Sequence, residues 1–293
     1  MFLCLKEFNF CFLSRILIIT LSLFFFLNSM SFAYDKEVFK DEEELDLYCL
    51  KKSYPDIKDT RVSLDGAIYL LISNDFGNHE ILYSKAERSN VLPEYHVTDV
   101  RTSMLAPYPL EPDRPKLPEK FSPGRWRSMD LITAIYGNSK GEVLKNIVSM
   151  SFQGQKIKLS SNIEKLISSI DKELSLYLVE DKSILKFLST KSGGGFIWRG
   201  VAGENYMSPH SYGIALDLSP KIAPYWRWSN LKYHPLQKDY PSKIVEIFEK
   251  YGFIWGGKWY EYDLMHFEYR PELICKAKHK KFVLPNSIKD IEK

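Results

Sequence analysis

Two short segments of this chain concentrate residues able to do chemistry. Ser208-Pro209-His210-Ser211-Tyr212-Gly213-Ile214-Ala215-Leu216-Asp217 sets a histidine seven residues before an aspartate, and Trp255 to Glu268 holds Glu261, Asp263, His266 and Glu268. Catalytic zinc typically takes three protein ligands from His and carboxylate and keeps a fourth position for water. His210, Asp217 and His266 could supply that set. Asp263, three residues before His266, could act as general base toward the attacking water and then return the proton to the leaving amine. Arg199 is a candidate to clamp a substrate carboxylate or steady an oxyanion, with an ordinary surface ion pair as the competing reading. Ser208 is placed to orient a ligand or the substrate, and Trp255 and Trp259 read as part core and part groove wall. Glu261 and Glu268 stand as alternative acids, Glu268 also as a support for the site. By spacing alone the pattern is loose, because a lone histidine is more often structural.

Other letter patterns dissolve on inspection. His79-Glu80 lacks a histidine at the fifth position, where Tyr83 stands, so a zincin motif is absent. Gly137-Asn138-Ser139-Lys140-Gly141 spells a nucleophile elbow, but helical text precedes it and Ser139 reads as a helix cap. A serine hydrolase built on Ser139 is therefore the rival enzyme. The triple glycine from Gly193 reads as a flexible loop, and His79, His96, His234 and His279 as surface residues.

The elements that must position these residues are partly legible. Asp65-Gly66 between two β-rich runs signals a hairpin. Prolines crowd Pro93 to Pro123, which reads as a linker or a strap. Met129 to Tyr136 is a short apolar helical turn, and Ser139 with Glu142 forms a capping box. Ile163, Leu166, Ile167, Ile170, Leu174 and Leu178 share one face of a helix over about Ser161 to Leu178. A further helix over about Pro241 to Tyr251 stops at Gly252. Ile214-Ala215-Leu216 reads as a short buried strand presenting Asp217, with Gly213 permitting the turn back to His210. Helices and strands do not alternate, which favours α+β over a parallel βαβ sheet.

The first segment resembles the S-x-H-x-x-G-x-A-x-D signature of peptidase family M15. Gly252-Phe253-Ile254-Trp255-Gly256-Gly257-Lys258-Trp259 and Asp263-Leu264-Met265-His266-Phe267-Glu268 resemble its second block. That family contains D-alanyl-D-alanine carboxypeptidases and L-alanyl-D-glutamate endopeptidases of peptidoglycan. The resemblance covers about Phe196 to Arg270, with a weaker likeness at Ser122-Pro123-Gly124-Arg125 and Tyr136-Gly137. It implies Zn2+ on His210, Asp217 and His266, with Asp263 as catalytic acid/base ranked above Glu261 and Glu268. Glu204-Asn205-Tyr206-Met207 and Gly200 depart from relatives on the presumed substrate side and bear on cleavage specificity.

The first 33 residues read as a secretory signal: Lys6 and Arg15, an apolar run from Ile16 to Leu27, then Ser31 and Ala33 before a cleavage point. Its apolar n-region leaves a retained membrane tether as the alternative. Removing it takes the formal charge from +3 to +2, too little to suggest nucleic acid as a partner. Cys49 and Cys275 remain in the mature chain and could close a disulfide. The expected organisation is a signal peptide over 1–33, an N-terminal accessory region with a Pro-rich strap over 34–120, and a zinc peptidase domain over 121–293. The expected fold is α+β, a small antiparallel sheet carrying the zinc site with helices packed on one side. The expected activity is an exported periplasmic or cell-envelope metallopeptidase acting on peptidoglycan stem peptide. D-alanyl-D-alanine carboxypeptidase is favoured over L-alanyl-D-glutamate endopeptidase, and a non-catalytic zinc-containing wall-binding module is the rival outside enzymology.

Overall fold

The computed structural model describes residues 38–283 except 89–91, 93–94, 96–98, 111–115 and 191–193. The expected signal segment, Gly193 and His96 lie outside the described residues. The chain is α+β, built of short antiparallel sheets and helices, and forms one compact unit from Asp41 onward. No helix among the described residues is long and apolar enough to cross a membrane.

Helix α1 (Glu42–Ser53) starts where the Asp41 side chain accepts a hydrogen bond from the Glu44 N–H, with three acidic residues in its first turn. Strands β1 (Ile57–Val62), β2 (Ile68–Asn74) and β3 (Gly77–Ser84) form an antiparallel meander, and the expected Asp65-Gly66 turn joins the first two. The short helix α2 (Val100–Ser103) leads into the proline-rich stretch. Helix α3 (Met129–Tyr136) is capped by Ser128, and α4 (Lys140–Lys145) by Ser139, whose Oγ accepts from the Glu142 N–H. Ser139 is thus an exposed helix cap.

A β-hairpin, β4 (Ile147–Phe152) and β5 (Gln155–Ser160), precedes the long helix α5 (Glu164–Glu180). The expected apolar stripe packs inward: Ile163, Ile167, Ile170 and Leu174 are buried, and Leu166 and Leu178 flank them. Strand β6 (Ala215–Asp217) follows, then α6 (Leu236–Asp239), α7 (Ser242–Lys250), β7 (Phe253–Trp255), β8 (His266–Tyr269) and α8 (Pro271–His279). Strand β8 lies between β6 and β7, antiparallel to both.

This three-stranded sheet divides its side chains by the two-residue period of a strand. Leu216 and Phe267 face the main core, where Phe267 stacks on Phe248 of α7 with ring centroids 4.1 Å apart. Asp217, His266 and Glu268 are left for the opposite side. Helix α8 packs on α1 and is bonded to it through a Cys49–Cys275 disulfide with Cα atoms 5.5 Å apart. Beside it, buried Lys276 pairs with buried Asp46 at 2.7 Å. The stretch after α2 is anchored as well. The Tyr108 hydroxyl donates to Glu249 at 2.6 Å, and the Lys258 ammonium donates to the Pro109 carbonyl at 2.6 Å.

Candidate metal centre

His210 sits in a 3-10 turn, Pro209–Tyr212, started by Ser208, whose Oγ accepts from the His210 N–H at 3.4 Å. The turn ends at Gly213 with φ 67°, where a Cβ would lie 2.6 Å from the Ser160 nitrogen of β5. Only glycine combines that backbone with that contact. The chain then enters β6, and antiparallel pairing sets Asp217 directly opposite His266. Two ligands therefore come from one register pair of a sheet, and the third from the turn that feeds it.

Three donor atoms meet at one point. His210 Nε2 lies 3.1 Å from Asp217 Oδ1 and 3.3 Å from His266 Nδ1, and His266 Nδ1 lies 3.1 Å from Asp217 Oδ1. Tetrahedral zinc with donors at 2.0–2.1 Å separates neighbouring donors by about 3.3–3.4 Å, so this triangle matches one face of such a site. The far side of each ring is taken. His210 Nδ1 is 2.9 Å from the Gly195 carbonyl and His266 Nε2 is 3.1 Å from Glu268 Oε2, both acceptors. Each ring therefore carries its N–H there and points its other nitrogen at the shared point. Two imidazole nitrogens and a carboxylate oxygen grouped this closely could hold one metal ion.

Charge at the site agrees. Burial would raise Asp217, but the two imidazoles hold its carboxyl well below the ordinary range. Burial disfavours a charged His266, yet hydrogen bonds with Asp217 and Glu268 win and push it up to about 9 in the metal-free chain.

Glu268 is not a free acid. It is buried, and Arg127 grips both its oxygens, Nε to Oε1 at 2.8 Å and Nη2 to Oε2 at 2.6 Å. Burial alone would raise its carboxyl, but Arg127 holds it well below the usual range. Arg127 thereby fixes Glu268, and Glu268 fixes the ring of His266. Glu261, the other alternative acid, is paired with buried Arg125. Arg125 closes the weaker-likeness segment and Arg127 lies two residues beyond it, and nothing in their sequence spacing marks them as partners of Glu261 and Glu268.

Asp263 is the carboxylate left over. It lines the cleft beside the metal ligands, and its Oδ1 is buried without a hydrogen-bond partner. Burial, the largest influence, pushes its carboxyl up to about 6; His266 draws it down and Asp217 raises it. The same cleft, with about 110 Å³ of room, is lined by Arg199, Ser208 and Trp259. Arg199 is exposed, and among the described residues its guanidinium hydrogen-bonds only to the neighbouring Gly200 carbonyl, at 3.3 Å. Trp259 is buried, its ring centroid 5.7 Å from that of His266 and its N–H bonded to the Pro123 carbonyl.

Two expectations need correction. Trp255 is not groove wall: it is fully buried between Tyr240 and Phe267, and its N–H donates to the Leu264 carbonyl at 2.9 Å. Its part is to pin the segment between Asp263 and His266. The glycines after Gly193 are not merely slack. The Gly194 carbonyl accepts from the Asp217 N–H at 2.6 Å and the Gly195 carbonyl meets His210, while a Cβ on Gly195 would lie 2.4 Å from the Lys158 carbonyl oxygen. A side chain there would push the segment off two ligands.

Residues 202–269 match the family model described as D-alanyl-D-alanine carboxypeptidase. The matched span contains His210, Asp217, Asp263 and His266, and leaves out Arg125, Arg127 and Arg199. No curated protein matches the chain. No solved structure matches it either.

Proposed function

We propose, from the premise that residues 202–269 are a peptidase segment of family M15, that this chain is an exported zinc metallopeptidase trimming peptidoglycan stem peptides as a D-alanyl-D-alanine carboxypeptidase. One observation carries the metal reading: three donor atoms 3.1–3.3 Å apart, with both rings oriented from behind. Zinc held by His210, Asp217 and His266 would supply Lewis-acid polarisation of the amide carbonyl and of water.

The chain's own groups do the rest. Asp263, with its unpartnered oxygen, takes the proton of the attacking water and hands it to the leaving amine. Burial raises its carboxyl and a bound cation would draw it back down, which suits a group that must both accept and release a proton. Arg199 receives the substrate's terminal carboxylate. Of the three arginines on the cleft, Arg125 and Arg127 are occupied by Glu261 and Glu268, whereas Arg199 has no carboxylate partner among the described residues. A carboxypeptidase substrate presents such a carboxylate next to the cleaved bond, which favours this activity over the endopeptidase. Export is supported by the signal-like first 33 residues and by the Cys49–Cys275 disulfide, a bond that persists in oxidising compartments.

The test is digestion of purified peptidoglycan with product masses read before chelation, after it, and after zinc return. Loss of a terminal D-Ala, abolished by chelator and restored by zinc, is the expected result. A longer released peptide would move the reading to L-alanyl-D-glutamate endopeptidase. Folded, zinc-loaded protein yielding no product would leave the wall-binding module.

A further inference from the structure

Two segments that line the catalytic cleft are bonded to each other. One runs from Arg199 to Ser208 and gives the cleft Val201 and Ala202; the other runs from Tyr225 to Trp228 and gives it those two end residues. The first is a tight hairpin. Gly200 and Met207 bridge antiparallel, the Val201 N–H donates to the Tyr206 carbonyl at 2.9 Å, and the Glu204 N–H donates to the Val201 carbonyl at 3.0 Å. Gly203, with φ 79°, supplies the left-handed residue of that turn. The base of the hairpin is fixed beside His210, because the Arg199 N–H donates to Ser211 Oγ at 2.9 Å and the Ser208 N–H to the Arg199 carbonyl at 3.0 Å. The second segment belongs to the side that carries the proposed base. Tyr225 bridges Asp263, and the Trp226 N–H donates to the Tyr262 carbonyl at 2.9 Å.

Arg227 spans the two. Its Nη1 donates to the Ala202 carbonyl, and its Nη2 meets Glu204 Oε1 at 2.9 Å. Behind it lies the Trp226 ring, with the guanidinium carbon 5.3 Å from the centroid. The glycine is part of the fit, since a Cβ on Gly203 would lie 2.0 Å from Nη1. With side chains 34% and 25% exposed, the ion pair alone would hold little. Here the carbonyl bond, the ion pair and the ring converge on one guanidinium, and together they fasten the turn.

A cleft ends where its walls are bonded together. This join lies at the tip of the hairpin whose base is Arg199, on the side where the substrate's terminal carboxylate is received. We infer that Arg227 is a positioning residue for specificity: by clasping the 201–204 turn it closes the cleft beyond Arg199 and limits the substrate to one residue past the cleaved bond. The inference rests on the carboxypeptidase reading and adds a reason for it. Arg199 attracts a chain that ends there, and the clasp excludes one that runs on.

The test compares the zinc-loaded full chain with Arg227→Ala and Gly203→Ala on two soluble stem peptides, one ending in D-Ala-D-Ala and one carrying a further glycine after it. Product masses report cleavage of the same D-Ala–D-Ala bond in both, and amide hydrogen exchange is followed over residues 200–207. Wild type should cut the first peptide and leave the second almost untouched. In both variants the Val201 amide should exchange faster, and kcat/KM for the extended peptide relative to the terminal one should rise about tenfold, the scale of hydrogen bonds lost from a charged group. Glu204→Gln keeps the carbonyl bond and should move that ratio by about twofold at most. Zinc affinity and the unfolding midpoint should stay at wild-type values in all three. An unchanged ratio in both Arg227→Ala and Gly203→Ala overturns the inference, as does a wild type that cuts the extended peptide equally well; unchanged exchange overturns the clasp itself. A wild type that cuts neither peptide overturns the carboxypeptidase reading and the specificity role with it, while the exchange rates still decide whether Arg227 holds the turn.

Discussion

Replacing Arg127 by alanine removes a residue that touches no proposed ligand, yet it should damage both the fold and the metal site. The guanidinium holds both oxygens of Glu268 at 2.6 and 2.8 Å, and neither side chain reaches solvent appreciably. Without it Glu268 keeps only the His266 ring, 3.1 Å from Oε2, and Arg270, 3.8 Å from Oε1, and loses its two-oxygen grip. Breaking one partner out of a buried pair costs about 3–5 kcal/mol, because the other charge is left without compensation. At about 2–4 °C per kcal/mol for a chain of this size, the unfolding midpoint should fall by roughly 10 °C. The loss should depend on pH. Glu268 is held below its unfolded value, so its contribution is present at neutral pH and fades as pH falls through the carboxylate range. The wild type and variant should therefore converge toward acid. At the metal, a carboxylate that no longer fixes the His266 ring should weaken zinc by about 10–100-fold. Calorimetric melting of the metal-free proteins at several pH values, with zinc affinity read by competition against a chromophoric chelator, measures both. Arg127→Lys should restore the charge but not the two-oxygen grip, and so recover stability better than affinity. An alanine variant melting within 2 °C of wild type and binding zinc within about twofold would refute the orienting chain from Arg127 through Glu268 to His266.

Other outcomes follow from the same geometry. Asp263→Asn should bind zinc within about twofold of wild type while losing about 10²–10⁴ in turnover, as measured by D-Ala release; unchanged turnover would remove the residue from the mechanism. The base must be ionised, so kcat/KM should fall on the acid side around pH 6 or somewhat lower, since a bound divalent cation draws the carboxyl down; a profile flat to pH 4 would contradict it. Because Asp217 and Glu268 keep His266 protonated to about 9 without metal, zinc binding at pH 7.5 should release a proton, visible as a buffer-dependent enthalpy in calorimetry. Reducing the Cys49–Cys275 bond opens a loop of 226 residues and should cost about 5 kcal/mol, lowering the midpoint by roughly 10–20 °C; an unmoved midpoint would make that link dispensable.

Local patterns carried much of the architecture. The stripe from Ile163 to Leu178 demanded a helix with one buried face, and Ser139 with Glu142 announced a cap, because both depend on neighbours a few residues apart. The β4–β5 hairpin and β3 were not anticipated, since their short half-buried runs carry weak alternation. In the site, residue type and spacing nominated His210, Asp217, Asp263 and His266, with family resemblance adding the weight that spacing lacked. What only the tertiary structure decided is contact between residues distant in the chain. Arg127 meets Glu268 across 141 positions and Arg125 meets Glu261 across 136, so the ranking of Asp263 above the other two carboxylates, which came from family resemblance, found its physical reason only once the fold had occupied them. Trp255 and Trp259, four residues apart, part company because one faces the core of the β7–β8 sheet and the other the cleft. Burial and pairing are properties of packing, and a linear sequence states only which groups are available to be packed.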